Sequence, residues 1–163
     1  MNRMISSRSS ALRRAFAVAL ICAACGAQAR NVGLMIPTAG PVAAARSAGN
    51  VGDVEFAFGS ASARGADIVG GTTSVQGVAS PLAEAHGFKP TDAEACANAV
   101  RDALERLATA ARAAGGHAVV GIVSTYNGNT VDDPAQVECR MGSAKVLAPL
   151  SGVIAKGVPP KAP

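Results

Sequence analysis

The chain has 163 residues, of which 49% are hydrophobic and 16% charged, a length and composition typical of one globular domain. Its formal net charge of +4 comes from arginines in the first fourteen residues, because from Arg30 onward 11 cations balance 11 anions. The charges balance from Arg30 onward, and the chain has only 3% aromatic residues and no tryptophan. This composition excludes a strongly basic nucleic-acid-binding domain that stacks bases on aromatic side chains. We therefore expect no nucleic-acid partner.

The first 29 residues have the three-part pattern of a secretory signal peptide. Residues 1–14 are polar and positively charged, residues 15–24 are apolar, and small residues precede a cleavage site that we place between Ala29 and Arg30. The apolar run is about ten residues long, whereas a membrane span needs roughly 20. The sequence therefore predicts export to the periplasm, with no integral membrane span after cleavage.

Two other export signals stay open as alternatives. Cys25 follows Cys22-Ala23-Ala24, an imperfect lipoprotein signal that would anchor the chain to the outer membrane through Cys25. The stretch RRAF at 13–16 partly matches a twin-arginine signal.

Cleavage would leave two cysteines, Cys96 and Cys139, in an oxidising compartment. An even pair in that setting favours a disulfide, and two free buried thiols are the alternative. Two cysteines do not complete a four-ligand site, so we expect no metal bound by this pair.

The strongest secondary-structure signal is a helix that begins after Thr91. The stretch TDAE at 91–94 is a capping box, and Gly115 and Gly116 are natural C-terminal caps. Between these ends, apolar residues recur at three- and four-residue steps along one stripe: Cys96, Val100, Ala103, Leu104, Leu107, Ala111 and Ala114. Because Cys96 lies on this stripe, a disulfide would fix the helix to the element that carries Cys139.

Strand patterns flank this helix on both sides. Alternating apolar residues and β-branched runs predict strands at 31–36, 54–58, 66–75, 118–126 and 136–148, with a short one at 153–155. The Gly70-Gly71 pair predicts a bulge or a close backbone approach, and Asn127-Gly128 predicts a turn. Segments 38–50 and 76–90 are interpreted as irregular connectors, the first with room for one helical turn.

These elements predict an α+β domain. We expect one long helix on one face of an antiparallel sheet of about four to five strands, in a single domain at 30–156 followed by a disordered tail at 157–163.

The sequence lacks the motifs of common catalytic sites. It contains no G-x-x-x-x-G-K-[ST], no G-x-S-x-G and no H-E-x-x-H, and GSAK at 142–145 is a fragment that falls inside a predicted strand. His86 and His117 are the weak candidates for a hydrolase. A solvated loop position is the simpler interpretation of His86, and His117 is expected to bond free helix-end carbonyls or to oppose the helix dipole. We expect no cofactor.

Five short motifs resemble a set of small exported proteins of Gram-negative bacteria that often carry the label "excinuclease ATPase subunit". They cover most of the chain after the leader: RNVGLMIP at 30–37, FAFG at 56–59, EAC at 94–96, GHAVV at 116–120 and ECR at 138–140. The label implies a DNA-repair ATPase, which needs the phosphate loop that this sequence lacks.

The C-terminal half is also similar to the folded domain of the outer-membrane lipoprotein that senses envelope stress for the Rcs phosphorelay. The resemblance lies in a cysteine before a helix, an Ala-Val strand after it and a C-x-G-S-A-like stretch, here at Cys96, 118–119 and 139–144. It implies a disulfide-stapled helix on an antiparallel sheet. That domain has four cysteines where this chain keeps two.

The leading hypothesis from the sequence is an exported, non-enzymatic periplasmic domain. It would bind an unidentified protein or envelope component, with a role of the envelope-stress sensor type. The alternatives are a hydrolase that uses His86 or His117 and the ATPase that the label implies.

Overall fold

The computed structural model describes residues 30–82 and 89–159. The predictions for the 29-residue leader, for His86 and for the last four residues of the tail therefore lie outside the described residues. In chain order the described elements are β1 (Val32–Pro37), α1 (Ala39–Ser47), β2 (Glu55–Phe58), a 3-10 helix (Ser60–Ala63), β3 (Ile68–Ala79), α2 (Asp92–Ala113), β4 (Ala118–Tyr126), β5 (Asn129–Val131), β6 (Gln136–Met141) and β7 (Val146–Ala155).

The α+β class is confirmed, and β7 is the central strand of one curled sheet. β3 pairs along one edge of β7. On the opposite edge, β4 pairs with β7 from Leu150 onward and β6 pairs with Val146 and Leu147. Pro149 lies in the gap between the stretches of β7 that pair with β4 and with β6. Proline has no N–H to donate, and at this position no neighbouring strand needs one.

The expected antiparallel sheet of four to five strands is wrong in number and direction. Within the described residues the sheet has seven strands, and β2 pairs with β4 in parallel. The long connection between β2 and β4, which carries β3 and α2, allows this parallel pairing. The sheet is therefore mixed.

The turn at Asn127-Gly128 is confirmed, with φ values of 48° and 80°. It returns the chain into β5, which pairs with the end of β4. Because β5 takes that place, the strand carrying Cys139 does not form a hairpin with β4. It pairs with β1 and β7 instead.

A second α-helix lies where a connector was expected. Residues 38–50 contain α1, whose Pro41 stands in the first turn, where a backbone N–H has no intrahelical acceptor. Proline and glycine in this stretch are typical of loops, but alanine-rich sequence after a first-turn proline also favours a helix. Pro41 and Ala45 are buried, so packing completes what the local sequence only permits.

Two strand boundaries also differ from the prediction. β3 continues to Ala79, into the expected irregular connector, and residues 136–148 form two strands rather than one. The break is a turn in which the Gly142 N–H donates to the Lys145 carbonyl at 2.8 Å. The GSAK fragment therefore lies in a turn, and the expected short strand at 153–155 is the end of β7. The bulge at Gly70-Gly71 is confirmed by the register shift between Ile68 and Thr72.

The long helix is confirmed as α2, with its capping box. The Thr91 hydroxyl accepts from the Glu94 N–H, and the Glu94 carboxylate accepts from the Thr91 N–H. One face of α2 is buried on β3, β7 and α1. The approach to β3 is closest at Gly77, where an added Cβ would lie 2.6 Å from the Ala103 nitrogen.

Candidate functional site

Cys96 and Cys139 form the one crosslink within the described parts of the chain. Their sulfur atoms lie at bonding distance and their Cα atoms are 5.9 Å apart, which confirms the predicted disulfide. Both residues are completely buried, and the Met141 sulfur lies 3.5 Å from the Cys96 sulfur. Because a reactive thiol needs partial exposure, this bond is a structural link between α2 and β6.

His117 lies beside Asp53 at the surface. The His117 Nδ1 is 3.1 Å from the Asp53 Oδ2, and the two side chains are 65% and 73% exposed. A carboxylate in this position orients an imidazole, as in acyl-transfer sites. Among the hydrogen bonds of the described residues, no serine, threonine or cysteine side chain meets this ring.

From the sequence we expected the ring of His117 to bond free carbonyls at the end of α2 or to oppose the helix dipole. The ring does not bond those carbonyls. Backbone groups bind the last carbonyls of the helix: the N–H of Gly115 donates to Arg112, and the N–H of Gly116 donates to Ala111. Gly115 has a φ of 73°, the left-handed conformation that this arrangement requires. With the carbonyls already bound, the imidazole turns to the nearest carboxylate.

Arg30, the residue after the predicted cleavage site, binds the beginning of α2. Its guanidinium forms a two-point ion pair with Asp92, with Nη1 3.2 Å from Oδ1. This hydrogen-bonded pairing raises the pKa of Arg30 and lowers the pKa of Asp92. The pair fixes the start of the described chain to the helix N-terminus.

Two shallow cavities lie side by side along the exposed face of α2. Their volumes are about 610 and 290 Å³, and Asp102 and Glu105 line both. These carboxylates are engaged in the helix surface, because Asp102 pairs with Arg106 at 3.0 Å and Glu105 pairs with Arg101 at 3.8 Å. Nowhere in 30–82 and 89–159 do three His, Cys, Asp or Glu side chains gather closely enough to hold a metal.

Within residues 30–82 and 89–159, another element packs on the sheet face opposite α2 at one end only. There the 3-10 helix segment packs over the start of β4 and the end of β7. Elsewhere a row of side-chain positions crosses four strands: Gly33, Arg140, Leu147 and Val78 are successive register partners. We call this row, with Met35 and Glu138, the open face, and Tyr126 at the end of β4 contacts it through Arg140.

Arg140 is the central polar residue of the open face. Its guanidinium carbon lies 4.5 Å from the ring centre of Tyr126, and its Nη2 is 3.0 Å from the Glu138 Oε1. Its side chain is only 23% exposed, and its Nε is buried without a hydrogen-bond partner among the described residues. The ion pair and the aromatic contact hold this cation in place.

The strand beside this ion pair leaves room for it. Gly33 faces Arg140 across β1 and β6, and a Cβ at Gly33 would lie 3.2 Å from the Arg140 Nη1. A larger residue would press on the guanidinium. Exposed apolar side chains flank the pair, with Met35 38% and Val78 39% exposed. An ordered Arg–Tyr contact with an apolar surround is a composition typical of protein-binding surfaces.

Sequence reasoning noted Glu138 and Arg140 within the ECR motif at 138–140, but it did not bring them together with Tyr126 as a site. The alternation of Glu138, Cys139 and Arg140 does place both charges on the face opposite the cysteine, because successive strand residues point to opposite faces. That signal identifies the face. The stacking on Tyr126 depends on how β4 and β6 meet in space.

No family model, curated protein or solved structure matches this chain. Neither described α-helix combines the length and the apolarity that crossing a bilayer requires.

Proposed function

We propose that this chain is an exported, non-enzymatic binding domain of the periplasm. It binds a protein or another envelope component through the open face, in a role of the envelope-stress sensor type. The observation that carries the proposal is the contact of Arg140 with Tyr126 and Glu138, on the part of the sheet face that lies outside the cover of the 3-10 helix. An acidic group on the partner, beside the apolar flanks, fits this surface.

The cysteine usage supports export. A fully buried disulfide is stable in the oxidising periplasm and rare in the reducing cytosol. The leader pattern of residues 1–29 supports the same location, and Cys25 keeps the lipoprotein alternative open.

The ordered Arg140 side chain supports binding. A pre-positioned arginine loses little side-chain entropy when a partner arrives. The Glu138 carboxylate and the Tyr126 ring hold the guanidinium, so that the partner meets it already ordered.

Two measurements test this proposal. Trapping of thiols in intact cells, followed by fractionation, should find the chain in the periplasm with Cys96 and Cys139 bonded. A photo-crosslinking residue at Leu147 should form an adduct of defined mass that Arg140→Ala abolishes and Arg140→Lys weakens. The matched control is the same crosslinking residue at Arg101 on the outer surface of α2, which should form no such adduct. A cytosolic, reduced chain, or equal adducts at both positions, would contradict the proposal.

The His117–Asp53 pair supports a second candidate, a hydrolase. Its geometry provides an oriented base, and a nucleophile would have to come from the substrate side or from a bound water. The high exposure of both side chains, 65% and 73%, favours a solvated surface contact.

A further inference from the structure

β3 is the longest strand and has β7 as its one strand partner within the described residues. Its twelve residues, IVGGTTSVQGVA, contain no charge and no proline. Exposed sheet edges of this length are usually protected by lysine, proline or bulges, because their unpaired N–H and C=O groups recruit other strands.

The register with β7 shows which backbone groups of β3 point outward. Val78 donates its N–H to the Asp102 carboxylate at 2.9 Å, away from β7. Because backbone direction alternates along a strand, the N–H and C=O of Gln76, Ser74 and Thr72 point the same way. No described strand or side chain binds these three residues on that side.

Both ends of this edge are protected, and no residue in the described part of the chain binds its centre. At one end the Asp102 carboxylate already binds the Val78 N–H, and at the other end the bulge after Ile68 interrupts the strand. Other free edges of the described sheet are less suited to pairing, since β1 ends at Pro37, β2 has four residues that begin with Glu55, and β5 has three residues. Because both ends of the β3 edge are protected, pairing is limited to the short stretch between them.

We propose that a second copy of this chain pairs with β3 through this stretch, antiparallel, about a two-fold axis at Ser74. Ser74 then faces Ser74 of the other copy, and Thr72 faces Gln76 on both sides of the axis. This register forms about six backbone hydrogen bonds. A shift of the axis by one residue leaves one free residue unpaired or needs the N–H of Val78, which Asp102 already binds.

Electrostatics favours a second copy over a charged partner. The edge is uncharged, and the cations and anions from Arg30 onward balance, so two copies approach without net repulsion. On the neighbouring surface of α2, Asp102 and Arg106 neutralise each other. This inference concerns assembly, takes the charge balance of the chain from Arg30 onward, and does not depend on the open face.

Light scattering on the purified, oxidised chain tests the pairing. The unsubstituted chain should show twice the monomer mass as its concentration rises. Ser74→Pro should restore the monomer mass, because it removes an outward N–H without breaking the ladder to β7. Ser74→Ala is the matched control: it loses the same 3.1 Å hydrogen bond to Ser151 but keeps the N–H, so it should remain a dimer.

A cysteine at the axis tests the register. Ser74→Cys should form a covalent dimer under mild oxidation, since residues opposed in such a pair have Cα atoms about 5.5 Å apart. Gln76→Cys should not, because its own copy lies about 13 Å away along the strand. A monomer at every concentration, loss of the dimer in Ser74→Ala, or equal crosslinking of both cysteines overturns the proposal. If the chain is a monomer and still forms the adduct at Leu147, the β3 pairing is overturned but the proposed function is not.

Discussion

The guanidinium of Arg140 stacks on the ring of Tyr126, 4.5 Å from its centre, and joins the end of β4 to β6 across the open face. The two strands are also tied where the Glu138 N–H donates to the Ser124 hydroxyl at 2.8 Å. Tyr126→Leu should lower the free energy of unfolding by about 0.5–1 kcal/mol, since the cation loses the aromatic face. Tyr126→Phe keeps that face and should change stability little. Urea unfolding of both variants measures the difference, and equal losses would show that the ring does not hold the arginine.

The disulfide should contribute strongly to stability. Cys96 and Cys139 are 43 residues apart, and closing a loop of that size stabilises a fold by about 4 kcal/mol in the chain-entropy description. We expect Cys96→Ala/Cys139→Ala to lower the urea midpoint by a corresponding amount. The reduced, unsubstituted chain is the control, and it should unfold near the double variant. A double variant as stable as the oxidised chain would contradict the expected role.

The contact between α2 and β3 has no room at Gly77. In Gly77→Ala the new Cβ would lie 2.6 Å from the Ala103 nitrogen and 2.8 Å from its Cβ, so the helix must move. Overpacking of this kind costs typically about 1–3 kcal/mol. Gly71→Ala, in the same strand, meets no atom within 4 Å and should be close to neutral. Thermal unfolding of the two variants side by side makes the comparison, and similar melting temperatures would refute the tight contact.

Asp132 should make stability depend on pH. The hydroxyl of Ser60, followed by its backbone N–H, binds the carboxylate and lowers the pKa of Asp132. A group whose folded pKa is depressed stabilises the fold above its unfolded pKa, and that stabilisation is lost as pH falls through the folded value.

The test is the urea midpoint measured from about pH 7 to about pH 3, the range that spans the usual aspartate pKa near 4. Asp132→Asn should flatten the acid side of this profile, and Ser60→Ala should flatten it in part because one donor remains. An unchanged profile in Asp132→Asn would show that other carboxylates determine the acid response.

The exposed His117–Asp53 pair gives a clear test between a binding protein and an enzyme. We expect any hydrolysis of activated esters by the purified, unsubstituted chain to stay at the level of free imidazole. His117→Ala should lower that hydrolysis only by the share of one imidazole. The pair is exposed, so its loss should change stability by about 1 kcal/mol or less. Hydrolysis that saturates with substrate and disappears in both His117→Ala and Asp53→Asn would favour the hydrolase.

Sequence reasoning succeeded where a local signal and the tertiary structure agree. The capping box at Thr91, the Asn127-Gly128 turn and the bulge at Gly70-Gly71 are each determined within a few residues. The disulfide was predictable because removal of the leader would leave a single pair of cysteines in an oxidising compartment.

The remaining errors arise where distant parts of the chain decide the outcome. α1 is helical because Ala45 is buried by the fold, and the parallel pairing of β2 with β4 depends on a connection of some sixty residues. The split at Gly142 is a turn that brings β6 and β7 together as antiparallel partners. The stacking of Arg140 on Tyr126 joins two strands that are not ladder partners, which no periodicity reveals.

The crosslink from the first turns of α2 to β6 also governs what a protease would do to this molecule. The exposed stretch around Pro134 lies between the two cysteines, so cutting there yields two pieces that stay covalently tethered. A nicked molecule would run as one band on a gel without reductant and as two bands with it. Cleavage at this surface therefore severs the backbone without releasing either half.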